Sequence, residues 1–114
     1  MEYSCGGAAG IVSRRNGLEE MDHEALKEAI RGHKCLQIHC DGGYCEGQGA
    51  SAFVMHVVQP STGAVSRIGF KWKYLAIAYS AFHAEITAID LAVEYVNMVH
   101  RENYQQQLKR TRFS

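Results

Sequence analysis

Two carboxylates stand out by their settings. Asp41 closes an alternating segment and is followed at once by Gly42 and Gly43, so the backbone beside it can approach a ligand without Cβ obstruction. Glu85 lies between Ala84 and Ala88 in an otherwise small and apolar stretch, a setting that puts a charged group at a rim or in a cleft. If the two converge, they supply oxygen ligands of the kind a hard divalent cation such as Mg2+ takes, with waters filling much of its shell. Taken singly, an Asp-Gly turn and a solvated helix glutamate account for the same residues. His39, Cys40, Cys45 and His83 are of the types zinc takes, but their spacing is not a standard one, and small buried cysteines account for them more cheaply. Arg67, Lys71 and Lys73 form a basic strip near Trp72 and Tyr74, suited to keeping a sheet edge soluble or to meeting the phosphates of a duplex.

These residues need elements to position them. Residues 1–17 are glycine-rich, polar and aperiodic, and read as a leader. Asn16 with Glu19 three residues later matches a capping box for a helix over about 18–31. Leu18, Met21, Ala25, Ala29 and Ile30 recur there at helical spacing, Gly32 supplies the stop, and Glu19, Glu20, Asp22, Glu24 and Glu28 make a solvated face. From Cys35 the texture is that of a strand, with Leu36, Ile38 and Cys40 on one face and Gln37, His39 and Asp41 on the other. Asp41-Gly42-Gly43 breaks it, and the chain to Gly49 reads as a flexible turn. Residues 50–58 are nearly all apolar, as in a strand covered on both faces, and Pro60 and Gly63 mark a reversal. A third strand over 65–73 puts Ile68, Phe70 and Trp72 on one face and Arg67, Gly69, Lys71 and Lys73 on the other.

Ser80 caps a long helix through at least Val99. Its expected buried stripe is Ile86, Ile89, Val93, Val96 and then Val99 or His100, with Ala81, Ala84, Ala88 and Ala92 permitting close approach to the sheet. Beyond His100 the chain is polar and basic, without a further strand. The expectation is therefore an α/β (α+β) fold: a mixed-sheet type of domain with three antiparallel strands in a meander and one covering helix. The parts are 1–34, a leader with one amphipathic helix; 35–100, the domain proper; and 101–114, a polar basic tail.

Bulk properties narrow the function classes. The 114 residues suffice for one small domain, and 12 Lys and Arg balance 12 Asp and Glu, so no global basic field draws in nucleic acid. With 46% hydrophobic and 21% charged residues the chain is of the globular rather than the disordered kind. No apolar run approaches the ~18 residues of a membrane span, which excludes a membrane partner of that type. The N-terminus shows no basic-then-apolar signal pattern, so the four cysteines read as free thiols of a reducing, intracellular compartment, nucleus and cytoplasm both open.

Asp41-Gly42-Gly43, then Gly47, then Gly49-Ala50-Ser51-Ala52-Phe53-Val54, resembles the first hairpin of the type 1 ribonuclease H-like domain. Ser80-Ala81-Phe82-His83-Ala84-Glu85-Ile86-Thr87-Ala88-Ile89 is similar to that family's first helix, with its Ala-Glu-x-x-Ala core. The order of elements is the same, and the resemblance covers about 35–99. It implies an endonuclease that cuts the RNA strand of an RNA–DNA hybrid with Mg2+ (or Mn2+). Asp41 and Glu85 match the first-strand aspartate and the helix glutamate, both catalytic metal ligands. In such enzymes one metal activates the attacking water and a second stabilises the leaving oxygen. The first strand is central in the family's sheet. A third carboxylate follows the helix at the end of a fourth strand, and a fourth acidic residue comes later still. Nothing after Val99 resembles that strand, and Ala81-Phe82 stands where a polar pair is common. The expectation is thus the front portion of the domain, truncated before the fourth strand. Its nucleic-acid binding and hybrid cleavage are incomplete unless a partner chain completes the domain. The other class is a non-catalytic fragment of the same fold that binds nucleic acid or a protein.

Overall fold

The structure, a computed structural model, describes residues 17–113. The element order is β1 (Leu18–Met21), α1 (His23–Arg31), β2 (Cys35–Cys45), β3 (Gln48–Val58), β4 (Val65–Leu75) and α2 (Ala81–Phe113). All pairings are antiparallel and the sheet order is β1-β4-β3-β2. The α/β class and the β2-β3-β4 meander agree with the expectation, but the strands among the described residues number four, not three. The asparagine cap at residue 16 lies outside the described residues.

The added strand is β1, where a helix was expected. Leu18–Met21 pairs with residues 69–72 of β4, and the helix begins only at His23. Gly69 makes this possible, because a Cβ at that position would strike the carbonyl oxygen of Glu20. Lys71 meets Glu19 at 3.4 Å on the same pairing. Asp22 then caps α1, accepting the Ala25 amide at 3.0 Å. A tertiary pairing thus overrides the local helix signal. The acidic face of this segment is also less idle than expected, since Glu24 and Glu28 meet Lys27 and Arg31 one turn on.

β2 does not break at Asp41-Gly42-Gly43. It runs on to Cys45 and turns tightly through Glu46 and Gly47, both at positive φ (50° and 79°), as a two-residue hairpin of the mirror-image type requires. β3 is covered on one face only: Ser51, Phe53 and Met55 are buried while Ala52, Val54 and His56 are half-buried. Between β3 and β4 the register shifts at Met55 and His56, so Met55 faces Gly69, His56 faces Arg67, and Ile68 of β4 is the bulged residue between them. The bulge moves Ile68 into the core. Arg67 now lies over the Phe70 ring at 5.0 Å, and Lys71 sits on the helix side, 5.8 Å from the Tyr95 ring. The expected facing of Ile68 with Phe70 and Trp72, and the single basic strip of Arg67, Lys71 and Lys73, are therefore split.

Both helices cover one face of the sheet. Leu26 of α1, Phe53, Met55 and Ile68 of the sheet, and Ala92, Tyr95 and Val99 of α2 form the core. α2 starts where expected, with the Ser80 hydroxyl accepting the His83 amide at 3.0 Å, and then continues far beyond Val99. Buried Asn103 donates to the Lys27 carbonyl at 3.2 Å and ties this second half to α1. The stripe that faces the sheet is Ala84, Ala88, Ala92, Tyr95 and Val99; Ile86, Ile89 and Val93 are exposed, which corrects the expected stripe. Alanines win because they let the helix settle on Gly42 of β2 and Gly49 of β3. Cys35 and Cys40 are free, whereas Cys45 is disulfide-bonded, so the expectation of four free thiols fails at Cys45. No helix among the described residues is long and apolar enough to cross a membrane.

Candidate metal centre

The contact that matters is between β2 and the first turn of α2. A Cβ on Gly42 would collide with the Ala84 carbonyl carbon and the Glu85 nitrogen, and would stand 2.6 Å from the Ala84 oxygen. Only glycine permits that approach. Ser51, cross-strand from Gly42, donates its hydroxyl to the same Ala84 oxygen at 2.6 Å and fixes the helix end. Asp41 is bonded to Gly42, so the Cα atoms of Asp41 and Glu85 fall within roughly 10 Å of one another, given ~3.8 Å between consecutive Cα atoms.

The side chains leave this contact in different directions. Gly42 and Ser51 face α2, so strand alternation assigns Asp41 to the open face, in a row with Ala52 and Trp72. Glu85 comes from the helix side. Among the described residues β2 ends the sheet, so the two side chains can approach one another only around that edge. It is an edge strand here, not the central strand that the resemblance implies. Both carboxylates are exposed, and among the described residues neither is paired with a cation. The Oδ1 of Asp41 accepts the Gly42 amide at 2.9 Å, which orients the carboxyl locally.

Two exposed carboxylates on contacting segments fit what one Mg2+ takes from a protein when waters and a substrate phosphate complete the shell. Among the described residues no three His, Cys, Asp or Glu side chains gather for a metal, at this site or elsewhere. The zinc candidates are scattered. His39 stacks edge-on with His56 on the open face, Cys45 is disulfide-bonded, and the Nδ1 of His83 accepts the Tyr79 amide.

A second surface was not legible as a unit in the sequence. The bulge leaves half-buried Phe70 and Trp72 on the open face of a central strand, with Arg67 over Phe70 and His39 and His56 beside them. A groove of about 550 Å3 lined by Glu20, Asp22, Arg67 and Phe70, among others, opens at the β1 end. Gly69 was the one signal that could have pointed to the irregularity. Comparison with protein-family models, curated proteins and solved structures finds no match to this chain. Fold and site define an α/β protein whose two candidate carboxylates come from contacting segments, Asp41 from β2 and Glu85 from α2.

Proposed function

We propose that this chain is a ribonuclease H-like nucleic-acid-binding protein whose site for one Mg2+ or Mn2+ is formed by Asp41 and Glu85. The observation that carries the reading is the packing of Gly42 against the Ala84–Glu85 peptide, which brings the two carboxylate-bearing segments together in the order the resemblance requires. Bound there, the ion supplies positive charge for a phosphodiester oxygen of an RNA–DNA hybrid. Asp41 and Glu85 hold it as oxygen ligands. Gly42 and Ser51 keep the helix end in place against β2. Two-metal cleavage needs a further acidic ligand, which a partner chain supplies, so the chain alone binds hybrid without cutting it.

A second reading, binding of nucleic acid without catalysis, is favoured by Phe70, Trp72 and Arg67 on the open face. Aromatic rings there stack on bases, and the guanidinium meets phosphate. Hybrid binding measured with and without a chelator separates the two. Mg2+-dependent binding that Asp41→Asn abolishes supports the metal reading. Binding that survives both the substitution and chelation leaves only the second, and cleavage that survives them contradicts both readings.

A further inference from the structure

The outward side of α2 carries an apolar stripe that no described element covers. Phe82, Ile86, Ile89 and Val93 recur at intervals of four, three and four residues and are 69%, 48%, 54% and 51% exposed. That alternation is the period of a two-helix seam. Three residues on, Val96 packs against the core, so the stripe is continuous with the packed interior. It runs about 17 Å along the helix at 1.5 Å per residue. Large side chains aligned in water over such a length mark an interaction surface more often than chance exposure.

The flanks choose the partner. Glu85 borders the stripe on one side and Asp90 on the other, with Glu94 one turn beyond Asp90. Between Ala81 and Val99 the helix has no lysine or arginine, and among the described residues none of these three acids is ion-paired. A second copy seated on the stripe would set carboxylate against carboxylate. In a parallel pair Glu85 meets the other copy's Asp90, and in an antiparallel pair like faces like. Such contacts weaken a complex and redirect its choice of partner.

We propose that this stripe docks an amphipathic helix of another protein, one with Leu, Ile or Phe along one face and Lys or Arg on both flanks. The apolar face seats on Phe82, Ile86, Ile89 and Val93, and the basic flanks meet Glu85 and Asp90. The inference shares Glu85 with the metal reading but does not rest on it, and its test therefore turns on Asp90 and Ile89.

The test uses the whole chain and two labelled synthetic helices of equal length, each with Leu at the seam positions, one flanked by Lys and the other by Glu. Fluorescence anisotropy is expected to show the Lys-flanked helix binding at least about tenfold more tightly. Asp90→Lys is expected to narrow that preference severalfold, and Ile89→Ser to weaken the Lys-flanked helix about tenfold with the circular dichroism unchanged. Should Ile89→Ser not fold, the exposed Asp90→Lys variant decides alone. Equal binding of the two helices, no binding of either, or a preference untouched by Asp90→Lys overturns the proposal. So does light scattering that shows the chain dimeric through this stripe.

Discussion

At Gly42 the absence of one methyl group decides how closely α2 can lie on β2. The neighbours that a Cβ would strike are backbone atoms of Ala84 and Glu85, which cannot rotate away as a flexible side chain would. Gly42→Ala is therefore expected to destabilise the fold by about 1–3 kcal/mol, the usual cost of overfilling a packed contact. Urea unfolding measures it, and an unchanged midpoint would mean that the helix end is not held there. Tyr95 gives a second handle. Burial in the core, aided by Glu19 and Glu102, pushes its phenol up to about 12, with the hydroxyl 2.8 Å from the His23 Nδ1. Because the folded value lies above the ordinary value near ~10, this contribution to stability is complete below pH ~10. It is lost as pH rises from there towards 12. An absorbance titration of the tyrosines should show one phenol ionising late, together with unfolding that steepens in that interval. In Tyr95→Phe that late step should be missing. Asp41 and Glu85 could be picked out from the sequence because glycines and alanines beside a carboxylate signal close backbone approach. The face of β2 that Asp41 takes, with Gln37 and His39 and away from Leu36 and Ile38, was legible too, whereas the edge position of β2 was not, since it depends on which strands pair.

Elements were legible where local pattern and tertiary pairing agree. The Ser80 cap, the β2-β3-β4 order and the Gly63 reversal are of this kind. They were misread where the two compete. Leu18 to Met21 fit a helix stripe, yet the pairing with β4 claims them, and Asp22 supplies the cap in place of Asn16. Gly69 is the hinge of that outcome: with a Cβ there, β1 cannot sit at pairing distance. Gly69→Ala should free residues 18–21 while β2 and β3 stay paired. Amide hydrogen exchange is the measurement, with faster exchange expected in β1 and protection retained at Met55 and Val57. Uniform protection would show that β1 tolerates the methyl group. α2 taught the opposite lesson. It has two apolar faces, one of alanines and one of large side chains, and size favours the second as core. Glycines in β2 and β3 favour the first, because Gly42 and Gly49 lie against Ala84.

Across the whole molecule, cover is one-sided. α1 and α2 share one face of the sheet, the other face keeps Phe70 and Trp72 half-buried, and β2 leaves a row of backbone groups unpaired by any described strand. α1 packs against α2 and β4, not along that edge, so it does not take the place of a fourth strand beside β2. The candidate metal centre, the open face and the outward side of α2 thus lie where the described fold is unfinished. Hydrophobic pattern predicts what must be covered and does not say by which chain, which is why the stripe of α2 was read as core.

Titration of the isotope-labelled chain with Mn2+, followed by amide resonances, tests the metal site most directly. Low concentrations of the paramagnetic ion are expected to broaden the resonances of Asp41, Gly42 and Glu85 before any others. Excess Mg2+ should restore them, and the effect should be lost in Asp41→Asn and in Glu85→Gln. Broadening that begins elsewhere, or that persists unchanged in both variants, would contradict a shared site at the β2 edge.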